Sequence, residues 1–215
     1  GLTAAALAAA PSVPMHDADT PRIAIYSQWS GTQELGWYRL TFDHFRIPYD
    51  LIFKEQVLQG NMRGKYDVIL MAAQNINRQS VMQPRAARPQ PYQKSDKYKF
   101  LGMYGETPDM SGGFGQEGVD EFTRFLEAGG TLIAAAGAVR FPIEFGWART
   151  ADVEQITGVT AQRPIVQAEI SRPDHAVFYG FAEKTIPLKY VGGTVLRVGV
   201  ADQAHVLGRY VGGDA

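Results

Sequence analysis

The chain has 215 residues, 45% of them hydrophobic and 20% charged, enough for one domain that buries roughly 70% of the surface of its unfolded chain. Its 21 basic and 22 acidic side chains leave a net charge of −1, which argues against the broad positive field that nucleic-acid or anionic-membrane partners require. There are no cysteines, so thiolate nucleophiles, disulfides and Cys-ligated metal sites are excluded, and no apolar run approaches the roughly 20 residues of a membrane-spanning helix.

Residues 1–20, "GLTAAALAAAPSVPMHDADT", are Ala-rich and then turn to Pro, Ser and Asp. They read as a linker ahead of the fold, with the tail of an export signal ending in Ala-x-Ala as the other reading. The domain is expected over 21–215, and its last run, "VLGRYVGGDA", reads as cut short at the C-terminal end.

Four apolar runs lie in the first two-thirds: "RIAIY" (22–26), "YDLIF" (49–53), "YDVILMAA" (66–73) and "TLIAAAGA" (131–138). They are continuous instead of alternating, which predicts strands buried on both faces of a parallel sheet. Helical periodicity separates them. In "ELGWYRLTFDHF" the residues Leu35, Tyr38, Phe42 and Phe45 share one predicted apolar face. In "QEGVDEFTRFLEAGG" Val119, Phe122, Phe125 and Leu126 do the same, Asp120 and Arg124 are spaced for an i, i+4 pair, and Gly129 stands where a helix-ending glycine belongs. Alternating strands and helices with right-handed crossovers predict an α/β three-layer sandwich of flavodoxin-like order around a mainly parallel central sheet. In the last third, "AEISRP", "TVLRVGV" and "HVLGRYV" alternate and carry Arg197 and Arg209, which predicts antiparallel edge strands with one wet face.

The connection between the third strand and the helix near 117 is too long for an ordinary loop and reads either as a functional flap or as disorder. Its residues 78–99 hold six basic side chains (Arg78, Arg85, Arg88, Lys94, Lys97 and Lys99) against the single acidic Asp96. A solvated loop explains this, and an anion or partner surface is the other reading.

Several motifs fail on context. "GFGQEG" has dinucleotide glycine spacing (Gly113, Gly115, Gly118) and opens a helix, but no buried strand precedes it; its glycines fit a sharp loop-to-helix turn with free N–H groups. "GNMRGK" is one residue short of a phosphate loop, lacks the Ser or Thr, and precedes a strand, so it reads as a turn. His16, His44, His175 and His205 are scattered, without a second His or a Glu at i+3 or i+4, so no zinc site is expected from this chain. No Gly-x-Ser-x-Gly elbow exists, and the turn after "TLIAAA" offers only Ala136 and Gly137, which leaves covalent acyl transfer without a nucleophile.

What remains is the crest of the sheet, where open α/β folds bind ligands. Gln28 and Trp29 follow the first strand, Gln74 the third, and Arg140 the elbow, while Glu106 lies in the long loop and Gly113 at the helix start. Trp29 and Trp37 either wall a pocket there or shield the sheet edge.

The stretches "PRIAIYSQWSGTQELGWYRLTFDHFRIPYDLIF", "GNMRGKYDVILMA" and "TPDMSGGFGQEGVDEFTRFLEAGGTLIAAAGA" resemble the class I glutamine-amidotransferase-like domain of some bacterial zinc carboxypeptidases of the carboxypeptidase A-like family. The resemblance covers residues 21–140 and rests on Gly36–Trp37, Pro48–Tyr49, Tyr66–Asp67–Val68–Ile69, Gly112–Gly113–Phe114–Gly115 and Glu117–Gly118–Val119; the final 75 residues match only loosely. It implies an amidotransferase fold without its chemistry, because the nucleophilic Cys of that family is replaced at the elbow by Ala136–Gly137. It also implies an upstream peptidase domain that holds the zinc, and an exported, secreted or periplasmic parent protein; a cytoplasmic location is the alternative.

Two functions follow. In the first the chain is a non-catalytic accessory module, with no cofactor of its own, that packs against the peptidase domain or holds a peptide, glycan or anion at the crest. In the second it is a hydrolase-like enzyme with Glu34 or Glu106 as general base near Gln74 and Arg140.

Overall fold

The computed structural model describes residues 20–31, 33–72, 75–97, 99, 105–154, 165–190 and 194–211. The four continuous apolar runs form β1 (Ile23–Tyr26), β2 (Asp50–Ile52), β3 (Val68–Met71) and β4 (Thr131–Ala134). They pair in the order β2-β1-β3-β4, every pair parallel, with Ala24 opposite Asp50 and Ile69, and Ile69 opposite Leu132. This is the flavodoxin-like order, and it puts the reversal of strand order between β1 and β3.

Six helices accompany the sheet among the described residues: α1 (Gln33–Phe45), α2 (Lys54–Leu58), α3 (Met62–Lys65), α4 (Arg78–Val81), α5 (Gly115–Glu127) and α6 (Arg140–Glu144). Strand side chains alternate between two covered faces. Ile25 and Leu70 pack with Leu35, Tyr38 and Phe42 of α1. Ala24, Tyr26, Ile52, Ile69 and Met71 face the other way, into the larger core with Val57, Met62, Phe122, Phe125 and Phe141. The layers are therefore helix, sheet, helix. Phe114, Phe122, Phe141 and Trp147 form a chain of ring contacts at 5.0–5.7 Å in that larger core.

On α1, Leu35 is buried but Phe45, predicted to share its face, is 67% exposed: the helix ends there and the chain turns at Arg46 and Ile47 before Phe45 reaches the sheet. On α5, Val119, Phe122 and Phe125 are buried as their spacing predicts, with Leu126 partly so. The expected Asp120–Arg124 pair is replaced. Arg124 binds Glu121 at 2.7 Å, and Asp120 accepts from Gln116 Nε2 at 2.8 Å. The reason is that Glu121 is buried and already accepts the Met62 N–H at 2.7 Å, so it holds a fixed charge that Arg124 neutralises. Gly129, at φ +83°, ends α5 in a Schellman arrangement: its N–H reaches the Leu126 carbonyl and that of Gly130 reaches Phe125. "GNMRGK", read as a turn, tightens into the single helical turn of α3, entered through Asn61 at φ +56°.

The last third departs most from expectation. Its antiparallel strands do not extend the parallel sheet as edges. β5 (Ala151–Glu154) pairs with β8 (Val195–Val198), and β6 (Ile165–Ile170) lies between β7 (Thr185–Lys189) and β9 (Gly208–Tyr210), forming sheets of their own. Alternating polar residues let these strands pair with one another while leaving a face in water.

Candidate functional site

Where the chain leaves β1 and β3 the loops diverge, and a cavity of about 280 Å³ opens between them. Its size suits a metabolite-sized molecule, and it lies at the topological switch point of the sheet. From the β1 side come Tyr26, Ser27, Gln28, Trp29 and Ser30; from the far side come α4, the irregular segment from Gln83 to Gln90, and the turn at Ser111–Phe114.

The long connection is built over this crest. Tyr92 and Thr107 exchange backbone hydrogen bonds at 2.9 and 3.0 Å. Thr107, itself buried, donates its hydroxyl to Glu55 Oε1 at 2.7 Å, and the Trp29 indole donates to the same carboxylate at 3.0 and 3.2 Å. Trp29 also stacks on Phe53 with ring centroids 4.0 Å apart. Asp109 accepts from the Gln90 and Ser111 N–H groups and from the Ser111 hydroxyl, which together hold its carboxyl down at about 2. Gly113 lies so close to α4 that an added Cβ would stand 2.0 Å from the Val81 carbonyl, and its N–H bonds the Gln83 carbonyl at 2.9 Å.

Two polar side chains are sealed into the cavity wall. Lys54, 4% exposed, opens α2 and donates from Nζ to the Ser111 carbonyl and, at 3.5 Å, to the Gly112 carbonyl. Among the described residues no carboxylate lies within 4 Å of it. Burial lowers its pKa, opposed by the charges of Glu55 and Asp109. Tyr26, also 4% exposed, packs edge-on against Phe114, and its hydroxyl has no hydrogen-bond partner among the described residues. Burial, and then the Glu55 charge, push its pKa up, so it stays protonated.

Of the residues singled out in the sequence, Gln28, Trp29 and Gly113 line this cavity. Trp37 does not: it sits on α1, beyond the opposite face of the sheet, and is 66% exposed. Arg140 begins α6 and does not line the cavity. Glu106 is exposed and accepts the Lys94 backbone N–H at 2.9 Å, and Glu34 is exposed in the first turn of α1. Neither glutamate lines the crest cavity, where a general base would need to be. Gln74 lies outside the described residues. The sequence reading missed Tyr26, Lys54 and Glu55. The signal was available in "FKEQ" directly after the second strand, because a lysine that opens a helix at a strand's C-terminal end sits at the crest by topology alone.

The elbow after β4 keeps a left-handed backbone without a reactive side chain. Ala136 has φ +46°, and a single helical turn, Ala136–Val139, leads into α6. Among the described residues no group of three or more His, Asp or Glu side chains is placed to hold a metal ion, and no helix is long and apolar enough to cross a membrane.

The fold and site define a flavodoxin-like α/β domain with a small polar cavity at its strand crest and, after β4, a left-handed turn at Ala136 that carries no reactive side chain. No protein-family model matches the sequence, and no curated protein matches it. Among solved structures the chain is similar to a ThuA-like protein from Bacteroides uniformis, at 11% identity over 94% of this chain and 79% of that one, with a TM-score of 0.45. A likeness that distant carries no argument about the site.

Proposed function

We propose that this chain is a non-catalytic, amidotransferase-like domain that binds a small ligand at its strand crest and serves a zinc metallocarboxypeptidase as an accessory module. The observation that carries the reading is the pairing of a cavity at the switch point with an elbow whose side chain is the methyl group of Ala136. Binding has a place there; acyl transfer has no nucleophile. The peptidase attachment rests on the resemblance of residues 21–140. In this reading the zinc belongs to the peptidase domain, which is the partner of this one, and the protein works in a secreted or periplasmic compartment. A peptide end, a glycan or an anion is the ligand class.

The test has two parts. Ammonia release from glutamine by this chain is expected to equal the buffer blank. Release of C-terminal amino acids from a peptide panel, with and without a chelator, is then compared between this chain and the full product of its gene. Chelator-sensitive release by the full product and none by the chain supports the accessory role. Release by the chain itself overturns the non-catalytic reading. No release by either removes the peptidase assignment and leaves the crest site standing.

A further inference from the structure

We infer that the crest cavity takes a small carboxylate, held between the Lys54 ammonium and the Tyr26 hydroxyl. This deepens the ligand-binding reading and rests on it.

The charges around the cavity are arranged unequally. Both nearby carboxylates are already occupied: Glu55 by the Trp29 indole and the Thr107 hydroxyl, Asp109 by two backbone N–H groups and the Ser111 hydroxyl. The cation is not. Lys54 is 4% exposed and meets only two carbonyl oxygens, although an ammonium has three protons and a buried charge is costly unless paired. The Tyr26 hydroxyl is buried to the same degree, lines the same cavity and has no partner among the described residues. An unpaired buried hydroxyl is unfavourable by itself, and burial with a neighbouring carboxylate keeps it a donor. Two donors, one cationic, therefore face a cavity of about 280 Å³ and call for an acceptor that carries negative charge. The remaining wall is part apolar, from Ile76, Val81 and Phe114, and part amide, from Gln83 and Gln90. That suits an amino-acid-sized body behind the carboxylate.

The experiment measures binding by titration calorimetry and by Trp29 fluorescence, using matched probes: N-acetylalanine, its neutral amide N-acetylalaninamide, glucose and inorganic phosphate. N-acetylalanine is expected to bind and its amide to bind at least about 10-fold more weakly. In K54M binding of N-acetylalanine falls by about 10- to 100-fold, and in Y26F by about 5- to 10-fold, while the Y26F protein is at least as heat-stable as the parent because it loses a hydroxyl that had no partner. Y26F keeps the test decisive if K54M does not fold. Equal binding of acid and amide, preference for phosphate, or unchanged binding in Y26F and K54M overturns the carboxylate assignment. Glucose or the amide binding with full affinity in K54M would leave the ligand-binding reading intact while sinking this one. Failure of every probe to bind sinks both.

Discussion

Ala136 occupies a backbone conformation that L-residues enter at a cost of roughly 1–2 kcal/mol, and nothing in its side chain uses it. Replacing it by glycine removes that strain at some cost in chain entropy, so A136G is expected to be neutral to about 1 kcal/mol more stable, and A136V about 1–2 kcal/mol less stable, by urea unfolding. A large loss in A136G would mean the methyl group packs in a way the exposed site does not suggest. Asp67 shows the opposite economy. It accepts the Arg22 backbone N–H at 2.9 Å, the Arg22 guanidinium at 2.8 and 3.0 Å, and Arg63 at 2.7 Å, and the Arg22 side chain is the main reason its carboxyl is held well below the usual carboxylate range. Because the folded-state value lies below the unfolded one, the stability Asp67 contributes is present above about pH 4 and is lost as pH falls through the folded value. Asp109 adds to the same acid limb. Unfolding midpoints should therefore drop between about pH 4 and pH 2, and D67N should flatten that drop while lowering stability at neutral pH. At the alkaline end the sign reverses. Tyr66 is pushed up to about 12 by burial and by Asp50, so stability is complete below about pH 10 and declines above it as the unfolded chain ionises first.

At the scale of elements, α5 joins the core to the cavity. Its buried stripe of Val119, Phe122 and Phe125 packs on the sheet, and its entry through Gly113 and Phe114 forms one wall of the crest. Phe122 touches Phe114, Phe141 and Trp147, so F122A is expected to cost about 3–5 kcal/mol in chemical denaturation. G113A should act differently. Its added methyl would meet the Val81 carbonyl, forcing α4 away from the helix start, so the wall of the cavity opens and ligand binding is lost together with stability. Periodicity made α1 and α5 legible, since apolar residues at helical spacing need only a surface to cover. It did not show where α1 stops being covered, which is why Phe45 stands in water, nor that the buried Glu121 would claim Arg124. Both outcomes depend on neighbours far away in the chain.

Across the whole molecule the protected and the open regions are unequal. β1 and β3 are central, paired on both sides and buried on both faces, whereas the residues of β9 are all exposed and those of β7 nearly so. Hydrogen exchange should find the slowest amides in β1 and β3 and much faster ones in β7 and β9. Uniform protection would contradict this picture of one strong parallel core with lighter antiparallel sheets. From the sequence alone came the parallel strands, the flavodoxin-like class, the absence of a nucleophile at the elbow, and a crest that includes Gln28, Trp29 and Gly113, because these depend on local runs, spacing and residue inventory. Only the tertiary structure decided that the C-terminal strands form their own sheets, that Trp37, Glu34, Glu106 and Arg140 stand apart from the cavity, and that Tyr26 joins Lys54 in its wall. The cavity wall forms where loops from β1, β2 and the long connection converge, and the C-terminal sheets form where strands far apart in the chain pair; both are set by packing between distant segments, which no local pattern encodes.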